Sequence, residues 1–143
     1  MFTERFSERA QVLAVTYPAS YSSEQNTAFV NVGNFHRWAI LIIAGNIGTS
    51  LDADVEVTTD GVSADLATLS GKSITQLTQA GSDDDSVVII EGRAEELVIA
   101  GVNHDWIRLE STPSGASLYC VVVLGIEPRY QPVSTSFLDE VVD

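Results

Sequence analysis

The residues of this chain that could do chemistry are few, and they do not stand in a catalytic or metal-binding pattern. His36 and His104 are the two histidines, and no HExxH motif or closely spaced Cys/His set accompanies them. Cys120 is the single cysteine, so an intrachain disulfide is impossible, and its place in the apolar run SLYCVVVLG predicts a buried, unreactive thiol. We therefore expect no catalytic residue, no metal site and no bound cofactor.

Three short segments resemble functional motifs but have plainer interpretations. Asp83-Asp84-Asp85 lacks the alternating oxygen ligands of a calcium loop, which predicts a solvated loop tip. Asn103-His104-Asp105 suggests an acid–base pair, but no Ser or Cys in a strained elbow motif is present to use it. Segment 45–48 (GNIG) lacks the Lys-Ser/Thr and the helix of a phosphate-binding loop. An enzyme or ligand carrier stays open only as an alternative, which would need a deep pocket that gathers His36 or His104 with an acid.

The composition predicts one globular domain. A chain of 143 residues with 45% hydrophobic and 19% charged residues can bury one sizeable core. The longest strongly apolar run, residues 38–44 (WAILIIA), falls far short of the roughly 20 residues needed to span a bilayer, so no membrane partner is expected. The N-terminus shows no secretory signal pattern, which predicts synthesis in the cytoplasm.

The charge balance restricts the partners. Seven basic and 20 acidic residues give a formal net charge of −13. Such a chain would repel the phosphate backbone of DNA or RNA, so nucleic acid is not an expected partner. Neutral or basic protein surfaces are favoured instead.

The elements that would position these side chains are predominantly β-strands. Residues 53–59 (ADVEVTT) alternate, which predicts a half-buried strand with Asp54, Glu56 and Thr58 on a wet face. Residues 38–44 and 118–124 are apolar on both faces, as is typical of central strands. Further predicted strands cover residues 85–91, 106–112, 11–16, 27–32 and 72–77, and short helical turns cover residues 94–97 and 2–9.

The turn chemistry and the strand count predict the fold. Residues 113–115 (PSG) should turn the strand at 106–112 directly back into the strand at 118–124 as a hairpin. Trp38 and Trp106 each open a strand and are predicted core anchors. About eight short strands with almost no helix favour an antiparallel β-sandwich, most naturally a jelly roll, with a β-barrel as the alternative. We expect a single domain over residues 1–143, with its core at about 10–127.

The two chain ends differ from the middle. Residues 1–9 and 128–143 mix apolar and charged side chains, and Pro128 and Pro132 favour an extended path. These segments are predicted arms, and apolar residues on an arm need a neighbouring surface to cover them. A frayed terminus is the alternative. The predicted interface anchors on the arms are Phe2, Phe6, Tyr130, Phe137 and Leu138.

The order of the segments resembles a known family. The succession consists of residues 21–26 (YSSEQN), 35–37 (FHR), 57–61 (VTTDG), 88–97 (VIIEGRAEEL), 106–109 (WIRL) and 121–132 (VVVLGIEPRYQP). It is similar to the cement or decoration proteins, also called auxiliary head proteins, of tailed bacteriophages, several of which are jelly rolls. The resemblance spans residues 20–132 and carries strand and turn patterns, with no binding residues to transfer.

This resemblance implies a virion protein on the capsid exterior that bridges major capsid protein subunits and resists the pressure of packed DNA. The expected partners are the major capsid protein and further copies of this chain, as a dimer or trimer on the shell. Another virion β-sandwich module, such as a head fibre, a tail protein or a host-receptor or glycan-binding protein, is the alternative. Such a module would be expected to trimerise without the capsid.

Overall fold

The computed structural model describes residues 5–130, 134 and 137–140, and most of them lie in β-strands. The described chain also has a one-turn helix, α1 (Phe6–Arg9), and two 3-10 turns, Ser63–Asp65 and Ala94–Leu97. No helix of the described residues is long and apolar enough to cross a membrane. In chain order the strands are β1 (Ala10–Tyr21), β2 (Gln25–Asn26), β3 (Val30–Asn31), β4 (Phe35–Ala44), β5 (Ser50–Thr58), β6 (Ala67–Ser73), β7 (Leu77–Thr78), β8 (Val87–Arg93), β9 (Val98–Ile99), β10 (Val102–Asn103), β11 (Trp106–Ser114) and β12 (Ser117–Pro128).

The strands form two antiparallel sheets that pack face to face. The first sheet has the order β1-β12-β4-β8, and the second has the order β2-β11-β5-β6, with β3 beside β11 and β7 beside β5. A small hairpin, β9-β10, lies apart from both sheets. The chain crosses directly between the two sheets at the β1–β2, β3–β4, β4–β5, β7–β8 and β11–β12 connections, and this interleaving is the jelly-roll arrangement. The predicted all-β sandwich of the jelly-roll type is therefore confirmed.

The two segments that are apolar on both faces form the centre of the first sheet, as predicted. Strand β12 pairs with β1 on one side and with β4 on the other. Strand β4 in turn pairs with β8, which is an edge strand. Both apolar segments therefore lie in strands that have a neighbour on each side.

The predicted hairpin at residues 113–115 is wrong. Strand β11 belongs to the second sheet, where Pro113 pairs with Leu51, and β12 belongs to the first. The turn therefore carries the chain across the core as a sheet-to-sheet arch. Gly48 allows it, because a Cβ there would lie 2.7 Å from the backbone nitrogen of Ala116. Both strands have a fully buried inner face, and each must cover the opposite side of one core, which local turn chemistry cannot reveal.

Two weaker strand predictions are only partly met. Within residues 27–32, only Val30–Asn31 is strand, and Thr27 instead uses its hydroxyl to accept the Leu109 N–H at 2.9 Å. Residues 72–77 straddle the break between β6 and β7. In that break the Ile74 N–H bonds the Ala53 carbonyl, so the segment follows β5 without forming a regular strand.

The core lies between the inner faces of the two sheets. The first sheet contributes Trp38, Ile40 and Ile42, all at most 1% exposed. Trp38 is the predicted anchor, and its ring packs where the Cβ of residue 92 would stand, so this position requires glycine. Trp106 is instead half-buried and packs on Gly61, where a Cβ would lie 2.8 Å from its ring.

Candidate interaction surfaces

The outer side of the first sheet carries an apolar surface that crosses all four strands. The register places Val15, Val122, Leu41 and Ile89 in one row, since paired residues share a face. Adjoining rows add further uncharged side chains, and we call the whole surface the apolar face: Val12, Val15, Leu41, Ile43, Val87, Ile89, Leu118, Cys120, Val122 and Leu124.

The apolar face is accessible in the isolated chain. Val87 is 67% exposed, Ile89 53% and Ile43 44%. The residues nearer the middle of the sheet are half-buried by their neighbours on the same surface. None of the ten side chains belongs to the hydrophobic core or packs against it. Contiguous apolar surface of this kind on a folded chain marks an interaction site.

The outer side of the second sheet is acidic. The register places Glu110 beside Asp54 and Thr112 beside Asp52, while Glu56 lies beside Arg108. We call this surface, formed by Asp52, Asp54, Glu56, Thr58, Trp106, Arg108, Glu110 and Thr112, the acidic face. It carries four carboxylates and one cation.

The prediction of a wet face for Asp54, Glu56 and Thr58 is wrong for two of the three residues. Glu56 is 7% exposed and Thr58 is fully buried, whereas Asp54 is half-buried. Arg108 covers Glu56, with 2.6 Å between Nε and Oε2. The Arg108 guanidinium also lies 4.7 Å from the centre of the Phe29 ring. Arg108 thus gives the buried Glu56 carboxylate an oppositely charged partner, and alternation alone does not show which outward residues acquire such a cover.

Glu110 on the acidic face lies near several other carboxylates. Burial raises the pKa of Glu110 above its usual range, and the nearby charges of Glu56, Glu24 and Asp54 raise it further. Arg108 opposes this shift but does not cancel it. Glu110 is therefore the carboxylate of the acidic face whose charge is disfavoured by its surroundings.

The structure brings the beginning of β1 and the end of β12 together. Ala10, the first residue of β1, lies opposite Ile126 near the end of β12. Glu127 connects the two ends through ion pairs with Arg9 at 3.7 Å and Arg37 at 3.4 Å. We call this end of the first sheet the arm end.

Four of the five predicted anchors lie within the described residues. Phe6 is 69% exposed and Tyr130 75%, and both flank the strands that meet at the arm end. Phe137 is 45% exposed and Leu138 39%. Phe2 lies outside the described residues. Exposed aromatic side chains of this size are available for contact with a partner.

Two clefts adjoin the arm end. The larger, about 470 Å³, is lined by Trp38, Gly92, Glu96 and both Arg37 and Arg93, among others. The indole Nε1 of Trp38 is buried and has no hydrogen-bond partner among the described residues. Nearby, Lys72 joins the two sheets. Its Nζ lies 2.9 Å from Glu96 Oε2, donates to the Glu91 carbonyl at 2.6 Å and sits 5.7 Å from the Trp38 ring centre. The Lys72 hydrogen bond holds the pKa of Glu96 below its usual range.

The second cleft, about 330 Å³, contains the nearest approach to acid–base chemistry. It gathers His36 with Glu95, Asp105 and Arg129. Its lining includes no Ser, Thr or Cys that could act as a nucleophile. Within the described residues there is also no group of three or more His, Cys, Asp or Glu that could hold a metal ion.

The other chemically capable residues have structural contacts. His104 is 8% exposed, and its Nδ1 lies 3.0 Å from the Val102 carbonyl oxygen. Asp83 and Asp84 do more than form a solvated tip, because they accept backbone N–H bonds from Thr78 at 2.8 Å and Ile47 at 2.7 Å.

Cys120 is half-buried on the apolar face, which corrects the prediction of a buried thiol. Its register partner is Ile43, itself on that face. The apolar face is also the surface that sequence reasoning missed. Its signal was present in segments 38–44 and 118–124, whose apolarity on both faces was assigned to central strands and not to an exposed surface.

No protein-family model and no curated protein matches this chain. Several solved structures are similar to it. The SPBc2 prophage-derived protein YomS is 12% identical, with a TM-score of 0.45 over 78% of this chain and 93% of that one. A chain of the empty virus-like particle of Cowpea Mosaic Virus is 8% identical, with a TM-score of 0.49 over 98% and 95%. Chitosan-binding module 1 of a chitosanase/glucanase from Paenibacillus sp. IK-5 is 15% identical, with a TM-score of 0.42 over 76% and 75%. At these identities and TM-scores, the similarities carry no conclusion about what this chain binds.

Proposed function

We propose that this protein is a structural, non-enzymatic component of a tailed-phage virion. In this role it binds the outer surface of the capsid and stabilises it by bridging neighbouring major capsid protein subunits. The observation that carries the proposal is the arm end, where β1 begins beside the end of β12 and exposed aromatic residues flank both strands. Phe6 and Tyr130 there are 69% and 75% exposed.

The arm end has the chemistry of a protein-binding site. Large aromatic side chains dominate the energetics of protein interfaces, because they bury much apolar area at little cost in conformational entropy. Arg9, Arg37 and Glu127 add a charged rim of mixed sign around them. The arms would extend this contact to adjacent subunits. Several copies around a symmetry axis, each with a modest interface, would together hold firmly to the shell.

The distribution of acidic groups supports an exterior position. The four carboxylates of the acidic face would be repelled by packed DNA inside the shell. On the outside they meet water and mobile cations. A net charge of −13 also favours attachment to neutral or basic patches of the shell.

The proposal is tested by co-sedimentation of the purified protein with DNA-filled capsids that lack it. We expect saturable binding at a fixed ratio to the shell subunit and greater capsid resistance to heat. Tyr130→Ala should weaken binding about tenfold, as loss of an aromatic anchor does. The matched control is Tyr17→Ala, which removes a tyrosine that is 70% exposed on β1 but lies away from the arm end.

Three results would count against this function. Absence of capsid binding together with a stable free trimer would favour a head fibre, a tail protein or a glycan-binding module. Unchanged capsid occupancy after deletion of residues 1–9 and 133–143 would show that the arms are not anchors. Equal weakening by Tyr130→Ala and Tyr17→Ala would remove the arm end as the specific site.

A further inference from the structure

We infer that the apolar face is an interface between two copies of this chain. The inference goes beyond the capsid role, because it assigns a different surface and a different partner. It starts from ten uncharged side chains on four paired strands, with Val87 67% and Ile89 53% exposed at the edge. Within the described residues, these four strands pair only with one another.

The area of the apolar face suits a small dimer. Four strands at about 4.8 Å spacing make it ~19 Å wide, and residues 118–124 of β12 make it ~20 Å long. The projected footprint is then roughly 400 Å², and side-chain relief brings the accessible area to ~600 Å² per partner. That value is at the lower end of the range for stable interfaces.

The shape of the apolar face favours a second copy as its occupant. A twisted sheet is matched best by another sheet of the same twist, and aligned sheets pack about 10 Å apart at roughly −30°. A second copy presents an identical twist and an identical apolar row. A two-fold axis in the plane of contact makes each apolar side chain of one copy meet an apolar side chain of the other.

The charge distribution permits this association despite the net charge of −13. The acidic face lies on the other sheet. In a face-to-face pair the two acidic faces are separated by three sheet spacings, about 30 Å, which is several times the ~8 Å Debye length at physiological salt. The rim of the apolar face at the arm end has mixed signs, with Arg37 and Arg93 beside Glu91. Such a pair would present two arm ends and so could bridge two capsid sites.

The test is the mass of the full-length protein by light scattering and sedimentation equilibrium, from about 1 to 200 µM and without capsids. We expect a reversible equilibrium between one and two chains. Two separate substitutions on the apolar face, Val122→Glu at its centre and Ile89→Lys at its edge, should each weaken dimerisation at least about 30-fold, because each buries an unpaired charge. Thr112→Glu on the acidic face is the control and should leave the dimer unchanged.

Salt provides a second measurement that needs no variant. An apolar contact between two anionic chains should be unchanged or strengthened when NaCl is raised from about 50 to 500 mM, since salt screens the repulsion. A dimer held by ion pairs would weaken.

Thermal unfolding of Ile89→Lys shows whether that variant is folded, which is expected because residue 89 is exposed at an edge strand.

The outcomes separate this inference from the capsid role. A monomeric wild type at 200 µM, a mass other than that of two chains, or a dimer that survives both face substitutions would overturn the inference. Suppose that the wild type is monomeric and that Val122→Glu abolishes capsid binding. These two results together would show that the shell covers the apolar face. That result would overturn the second copy as occupant and leave the proposed function standing. A protein that dimerises as expected but does not bind capsids would support the dimer interface and overturn the proposed function.

Discussion

The two outer faces of this sandwich are built in the same way but carry opposite chemistry. In both sheets alternate residues point into one shared core, as Val121 and Val123 do on β12 and Val55 and Val57 do on β5. The intervening residues are Cys120, Val122 and Leu124 on β12 but Asp54 and Glu56 on β5. Because these outward positions contribute little to the core, their chemistry is set by what lies outside the fold. The difference indicates a face for a partner and a face for water.

The two faces also differ in what they do for the isolated chain. On the acidic face, Arg108 neutralises Glu56 and covers it, so this polar surface is partly built into the fold. On the apolar face the exposed side chains stabilise the isolated chain little, because their area is removed from water only when a partner binds. Substitutions on the acidic face should therefore change folding, whereas those on the apolar face should change association.

The largest expected effect compares neighbouring isoleucines on β4. Ile42 is fully buried and Ile43 is 44% exposed on the apolar face. Ile42→Ala should lower the free energy of unfolding by about 3 kcal/mol, through lost burial and the cavity left behind. Ile43→Ala should lower it by less than about 1 kcal/mol at low protein concentration. Urea titrations at two protein concentrations measure both values.

The concentration dependence sharpens this comparison. If the apolar face is covered by a second copy, the cost of Ile43→Ala should grow as the protein concentration rises, because dimerisation stabilises the folded state by mass action. The loss of stability on Ile42→Ala should contain a large part that does not depend on protein concentration, because it comes from the core. Equal costs for the two substitutions would mean that Ile43 already packs against something within one chain.

The second prediction compares an ion pair on the acidic face with one at the arm end of the other sheet. Arg108 and Glu56 are 17% and 10% exposed, whereas Arg37, which pairs with Glu127 at 3.4 Å, is 56% exposed. Arg108→Met leaves a buried carboxylate uncompensated and should cost about 2 kcal/mol, somewhat below the 3–5 kcal/mol of a fully buried pair. Arg37→Met should cost less than about 1 kcal/mol, as solvent-exposed pairs do.

Thermal or urea unfolding of the two methionine variants measures this difference. The double variant Arg108→Met with Glu56→Gln serves as the control. It should recover part of the loss, because the stranded charge is removed. A loss from Arg108→Met that Glu56→Gln does not reduce would show that Arg108 acts by packing on Phe29, 4.7 Å away, and not by neutralising Glu56.

Much of the fold was predictable because the core imposes period 2 on the strands. Segments 38–44 and 118–124 were correctly placed at the centre of a sheet, since a long apolar run with branched side chains suits few other environments. The arch at residues 113–115 was not predictable, because the same turn residues serve a hairpin and a crossing between sheets. Which of the two forms depends on non-local pairing, here of Pro113 with Leu51.

The surfaces were less predictable than the fold. A strand segment that is apolar on both faces is compatible with a covered sheet and with an exposed binding face. The apolar face could therefore not be recognised before the packing of the two sheets was known. Likewise the cover over Glu56 comes from Arg108, 52 positions further along the chain. The placement of Phe6 and Tyr130 at one end of the sheet follows from the pairing of the first and last long strands, which lie far apart in sequence.

The third prediction concerns a hydrogen bond in the core that joins the two sheets. The hydroxyls of Tyr119 on β12 and Ser111 on β11 lie 2.9 Å apart in the core. Tyr119→Phe should lower stability by about 1 kcal/mol, the usual net value of a buried hydrogen bond, because Ser111 keeps its bond to the Gln25 carbonyl. Tyr21→Phe is the matched control. Its hydroxyl donates to the Tyr17 carbonyl at an exposed site, so the loss in a denaturant titration should be smaller.

The smallest expected effect tests whether the acidic face opposes folding. Burial and like charges raise the pKa of Glu110 above its ordinary value of 4.5, so its ionised form destabilises the folded state. Glu110→Gln should therefore stabilise the protein at pH 7 by about 0.5 kcal/mol. As the pH falls through the raised pKa, the wild type takes up the proton and recovers this stability. The difference should vanish below the ordinary value.

Unfolding of both proteins between pH 7 and pH 4 measures the sign of this effect. Glu95→Gln is the control, because it removes the same charge beside Arg93 at 3.4 Å and so loses an attraction. It should not stabilise the protein at any pH. Higher salt should reduce the gain from Glu110→Gln only in part, since screening weakens the repulsion but not the cost of burying the charge. A destabilised Glu110→Gln at pH 7 would mean that the carboxylate is held by a favourable contact, and the contrast between the two faces would then be one of polarity alone.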